Sequence, residues 1–136
     1  MSLSEKNNSQ VKRNKTLVEL FVGEIFNKHN LSAIEKYLNP VAGKGSEGFK
    51  QFLSALFKAF PDWHTNIEQI VAEDNLVVIL LNGTGTHQGE FQGTAPTYKR
   101  VNIRSADLYR IENGIIVEHR DIVDQLNLLQ QTGATL

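Results

Sequence analysis

The apolar residues of this chain change their period at Pro61. Before it they recur every three or four positions, as on a helix face. After it they fall in alternations and long β-rich runs. A chain that switches once in this way has to segregate its helices from its sheet, because each buries one face against the other. In "KTLVELFVGEIFNKH" the stripe is Leu17, Leu20, Phe21 and Ile25, widened by Val18, Val22 and Phe26, and Asn30 is expected to end the helix. Ser32 with Glu35 reads as a capping box for a short helix that Pro40 stops. Ser46 stands where it can cap a third helix, whose stripe is Phe49, Phe52, Leu53, Leu56, Phe57 and Phe60.

Four strands follow. "WHTNIEQIVA" alternates, and Glu73-Asp74-Asn75 is a turn. "LVVILLNGTGTH" is a long β-rich run in which Gly83 and Gly85 predict a bend or bulge. "QGEFQGTAPT" is a loop. "YKRVNIRSADLYRIE" is another long strand, and Asn113-Gly114 predicts a type I′ turn into the last one. "QLNLLQQTG" predicts a short helical tail. The fold class expected is α+β: three helices, then an antiparallel sheet whose long strands curl around a helix and leave a hollow end. At 136 residues the chain suits one domain. Residues 1–8 are expected to be a disordered tail and residues 9–136 the domain.

Composition narrows the functions. Net charge is −1, which gives no basic field for a phosphate backbone, so nucleic acid is not expected as a partner. There is no cysteine, hence no disulfide, thiolate nucleophile or cysteine-ligated metal, in keeping with a cytoplasmic location. No stretch approaches the ~20 apolar residues of a membrane span. No metal-ligand spacing, dinucleotide fingerprint or nucleophile elbow is present, so an enzyme of this sequence is expected to work without cofactor or metal.

The last strand carries the densest chemistry. Alternation puts His119 and Asp121 on one face, about 6.6–6.8 Å apart along the strand. Val117 and Val123 share that face, and Glu118, Arg120, Ile122 and Asp124 take the other. A carboxylate beside an imidazole on a partly apolar surface suits general acid–base work; a solvated strand is the plainer alternative. On the preceding strand Ile103, Ser105, Asp107, Tyr109 and Ile111 oppose Asn102, Arg104, Ala106, Leu108 and Arg110, and spacing alone does not choose the inner face. Asp121 and His119 are the catalytic candidates. His87, Arg104, Trp63 and Asp107 are the substrate-binding candidates. Arg104 also reads as an exposed cross-strand ion pair, and His87 as a solvated strand end.

Four segments resemble the SnoaL-like polyketide cyclases, also called predicted ester cyclases, of the nuclear transport factor 2-like superfamily. They are "FPDWHTNIEQIVAEDNLVVI", "GTGTHQGEFQGTAPTYKRV", "DLYRIENGIIVEHRDIVDQL" and "LLQQTG", and the resemblance spans about Thr16 to Gly133. It implies a cone-shaped, strongly curved sheet wrapped around the N-terminal helices, with an apolar cavity at the open end. It also implies a cofactor-free intramolecular aldol closure in which Asp121, in "EHRD", shuttles the proton and His119 assists. A homodimer through the sheet is expected on the same ground. Two features depart from the family pattern. The histidine common after the second helix is absent from "EKYLNPVAGKGSEG", where Asn39 stands nearby, and Arg120 replaces a frequent tryptophan. A non-catalytic carrier of a small apolar molecule, using the same cavity, and an interaction module are the competing readings.

Overall fold

The computed structural model describes residues 2–39 and 46–133. Helix α1 covers Leu3–Phe21 and continues as a π-helical segment, Val22–Asn27. Residues 3–8, expected to be a disordered tail, instead form its exposed first turns. Ser2 caps them by accepting from the Glu5 N–H at 3.2 Å, and Glu5 lies at the positive end of the helix dipole. His29 (φ 57°), rather than Asn30, takes the left-handed conformation beyond the helix.

A 3-10 turn, Leu31–Ala33, leads into the short helix α2, Ile34–Tyr37. The expected capping box does not form there. Ser32 donates to the Asn30 side chain at 2.8 Å, and Glu35 pairs with Lys50. Pro40 and the loop through Gly45 lie outside the described residues. Helix α3 is Ser46–Ala59, and a C-terminal helix α4 is Gln125–Thr132. Asp124 caps α4 by accepting from the Asn127 N–H at 3.1 Å, and Gly133 (φ 78°) closes it.

The strands β1 (His64–Glu73), β2 (Leu76–Thr86), β3 (Arg100–Glu112) and β4 (Ile115–Val123) form one curved, unclosed antiparallel sheet in chain order. Asn113 (φ 52°) and Gly114 (φ 75°) make the β3–β4 turn, as that residue pair predicts. The odd-numbered residues of β3 face the helices, because Val101, Ile103, Asp107, Tyr109 and Ile111 are all buried.

Two bulges reset the alternation of the outer strands. In β1 the register slips between Ile67 and Gln69, so Glu68 is extra and Val71 turns out to solvent. In β4 Ile116 pairs with Ile111 and Glu118 with Arg110, so Val117 is extra. Ile116, not Val117, therefore takes the core position, while His119, Asp121 and Val123 keep the inner face. The glycines of β2 make no bulge, since the strand's register with β3 is unbroken. They make room for rings. A Cβ on Gly83 would stand 2.2 Å from the Trp63 ring, and one on Gly85 3.1 Å from Phe60.

The core centres on Phe21, which meets Phe26, Tyr37, Phe49 and Tyr109 at ring separations of 5.7–6.3 Å. Both sheet edges are partly covered. The Asn27 amide donates to Thr65 O at 2.9 Å, and its carbonyl accepts from the Thr65 N–H at 2.7 Å. On the other edge Leu38 bridges Ile116, and the Asn39 N–H donates to Ile116 O at 2.9 Å.

Candidate functional site

A cavity of about 490 Å³ lies between α3, α4 and the inner face of the sheet. Its rings come from Phe26, Phe49, Phe52, Trp63 and Phe91, and its aliphatic wall from Leu56, Leu81, Ile103, Val123 and Leu128. The α3 stripe turns Phe49, Phe52 and Leu56 inward, the π-helical segment presents Phe26, and the inner faces of β2, β3 and β4 supply Leu81, Ile103 and Val123. Trp63 comes from just before β1, Phe91 from the loop between β2 and β3, and Leu128 from α4. Trp63 is fixed from its polar end, since its indole N–H donates to Thr65 Oγ1 at 3.0 Å.

The polar groups gather on one patch of this wall. Asp107 and Asp121 are direct cross-strand partners, and Tyr109 and His119 are the next pair on the same face of the ladder. His119 Nε2 lies 3.3 Å from Asp107 Oδ2, an oxygen that also accepts from the Tyr109 hydroxyl at 3.2 Å. Asp107 Oδ1 is buried with no hydrogen-bond partner among the described residues. The His119 ring is stacked on Tyr109 at 4.7 Å and 3°, and the edge of Phe49 closes on it at 5.6 Å. The imidazole therefore has little rotational freedom. With its N–H on Nε2 toward Asp107, a neutral His119 keeps Nδ1 as its basic nitrogen. Asp107 is 4% exposed, whereas Asp121 stands in the open at the cavity mouth. Burial pushes the Tyr109 phenol well above the ordinary range, helped by the charge and hydrogen bond of Asp107 and by the charge of Asp121.

Of the residues singled out in the sequence, Asp121, His119, Asp107 and Trp63 line this cavity together. Two others do not. Arg104 is on the outer face, where alternation opposite Ile103 and Ser105 puts it; it is 70% exposed and bonds Glu68 at 2.9 Å. His87 is completely buried, but away from the cavity lining. It stacks on Phe60, and its Nδ1 accepts from the Thr97 N–H at 3.3 Å, so it fastens the loop of residues 88–99 rather than meeting solvent.

Sequence reasoning missed the partnership of Asp107 with His119, and missed Phe49, Phe52 and Phe91 as cavity rings. The helix stripe contained the first two, yet periodicity does not separate residues that fill a core from residues that line a hollow. Among the described residues no group of three or more His, Asp or Glu is placed to hold a metal ion. No helix of the described residues is long and apolar enough to cross a membrane.

Comparison with known proteins fits this geometry. The family model for SnoaL-like polyketide cyclase matches residues 16–132. No curated protein sequence matches the chain. AclR, a candidate hydroxylase from Streptomyces galilaeus, is 31% identical, with a TM-score of 0.81 over 90% of this chain and 82% of its own. IdmH, a candidate polyketide cyclase from Streptomyces antibioticus, is 25% identical, with a TM-score of 0.77 over 89% of this chain and 99% of its own. A candidate polyketide cyclase from Acidithiobacillus ferrooxidans is also 25% identical, with a TM-score of 0.77 over 99% of this chain and all of its own. By the match of the family model across most of its length, the chain belongs to the SnoaL-like polyketide cyclase family.

Proposed function

We propose that this protein is a cofactor-free acid–base enzyme that closes or rearranges a small, mostly apolar carbonyl compound in the cavity. The observation that carries this reading is the Asp121 carboxylate standing across the ladder from a His119–Asp107 pair on an otherwise apolar wall. Asp121 takes a proton from a carbon next to a carbonyl. The electron pair left behind forms a bond to a second carbonyl carbon of the same molecule. The oxygen of that carbonyl then takes the proton back from Asp121. No proton is gained or lost over the cycle, so one carboxyl serves as base and then as acid. His119, its Nε2–H directed to Asp107, presents Nδ1 as an acceptor to the hydroxyl that the closure forms.

Proton removal can be followed before the substrate is known. A panel of linear and cyclic diketones and keto esters is incubated with the protein in heavy water, and loss of α-proton signals is followed by NMR. The wild type is expected to speed exchange of at least one compound by about 10²-fold or more. D121N is expected to abolish that gain and H119A to weaken it. The exposure of Asp121 favours a second reading, a carrier that binds without turnover, since water reaches the group. Ligand binding with no exchange in the wild type would establish the carrier and end the enzyme reading.

The expected partner is a second copy of the chain. On the outer sheet face Leu80, Ala106 and Ile122 are aligned across three strands, next to Val71, Val78 and Leu108. Val71, Leu80 and Ile122 are 51%, 38% and 78% exposed. Charged residues rim this block, Glu68 with Arg104 and Glu118 with Arg110 and Arg120. An apolar centre with a polar rim is the anatomy of an interface. The location we propose for the dimer is the cytoplasm, with which a chain that carries no cysteine is compatible.

A further inference from the structure

We infer that the cavity selects its ligand by charge, taking an aromatic molecule that carries a protonated amine and rejecting one that carries a carboxylate. This deepens the proposed function and rests on its reading of the cavity as a small-molecule site. The charge-bearing groups among the described lining residues are Asp107, Asp121 and His119. The set is net negative whether His119 is neutral or protonated.

No lysine or arginine is among those lining residues. The nearby guanidinium groups are committed elsewhere. Arg104 bonds Glu68, and Arg110 and Arg120 both bond Glu118, all on the outer face. Lys50, on the same helix as the cavity residues Phe49 and Phe52, pairs with Glu35. An anionic ligand would thus meet two carboxylates across an apolar, weakly screening space with no cation among the described lining residues to answer it.

A cation meets the reverse. Phe26, Phe49, Phe52, Trp63 and Phe91 line the same space with aromatic rings. Aromatic rings attract an ammonium group through their quadrupoles, and more strongly when it is desolvated. Burial first, and then the charges of Asp107 and Asp121, favour the protonated Tyr109 phenol, so both carboxylates act in the same direction on a ring beside the cavity. The volume of about 490 Å³ accepts a flat tricyclic skeleton with room for a side arm. The carbonyl compound of the proposed reaction is therefore one that bears a basic nitrogen and no free acid.

The test uses one skeleton with three charges. Anthracene-methylamine, anthracene-methanol and anthracene-carboxylate are titrated calorimetrically into the full chain at pH 7 and low ionic strength. The amine is expected to bind at least about tenfold more tightly than the carboxylate, with the alcohol between them. D121N, at the exposed mouth, is expected to shrink the amine-to-carboxylate ratio to about threefold or less, and D121E to restore it. Thermal melts of both variants confirm that they fold. A carboxylate that binds as well as the amine overturns the inference, as does a ratio unchanged in D121N. Either result leaves the cavity a ligand site and the acid–base reading intact. Failure of all three probes to bind overturns this inference together with the reading of the cavity.

Discussion

At the scale of single residues, Asp121 is set by two opposing demands. It faces Asp107 directly across the ladder, and like charges in that relation are destabilising. Its exposure lets water relieve part of the repulsion. Asp121→Asn keeps the shape and removes one charge. It is expected to raise stability by about 0.5–1 kcal/mol, read as a higher melting temperature at pH 7 in identical buffer. A lower melting temperature would show that the carboxylate is a hydrogen-bonded structural element. The pairing of His119 with Asp121 was readable from strand alternation alone, since an i, i+2 relation survives any register. Asp107 was readable as an odd residue between Ala106 and Leu108. Its bond to His119 was not, because that contact joins positions on different strands and depends on how β3 and β4 align.

At the scale of elements, the joints between helices and sheet are made by side chains that copy backbone. Asn27 does this for the start of β1. Asp62, between α3 and β1, does it for the end of β2, accepting from the Thr86 N–H at 2.7 Å and its hydroxyl at 2.8 Å. Partial burial works against the Asp62 charge, but the Thr86 donors, with Arg100 beyond them, hold its carboxyl below the usual range. A depressed carboxyl stabilises the fold above its unfolded pKa, and that contribution fades as pH falls through the folded value. Asp62→Asn is thus expected to cost about 1 kcal/mol at pH 7. Urea melts of the two proteins should converge as pH drops below the ordinary carboxylate range; a gap independent of pH would refute the assignment. Element order, the Asn113-Gly114 turn and the α3 stripe were legible because each is encoded locally. The bulges at Glu68 and Val117 were not. No glycine marks them, and they exist only because neighbouring strands fix the pairing on either side. The β4 bulge is what lets Ile116 fill the core while His119, three residues on, still faces the cavity.

At the scale of the whole molecule, the sheet has two apolar faces and the helices cover one. The inner face holds the core and the cavity. The outer block around Leu80 and Ile122 is exposed, and it is the surface through which the proposed dimer would form. Ile122→Glu places a charge at its most exposed point and, because alternation turns residue 122 outward between the lining residues Asp121 and Val123, changes no side chain of the cavity wall. It is expected to turn a dimer into a monomer in light scattering at micromolar concentration, with little change in ligand affinity. An unchanged mass would remove the sheet from consideration as the interface. The closeness of Trp63 to Gly83 has a consequence of a different kind. Trp63 is the chain's single tryptophan, and its ring forms part of the cavity wall. Its ultraviolet emission therefore belongs to the cavity alone, so the molecule carries its own optical gauge of whether a guest is inside, and a compound library can be sorted by unlabelled fluorescence.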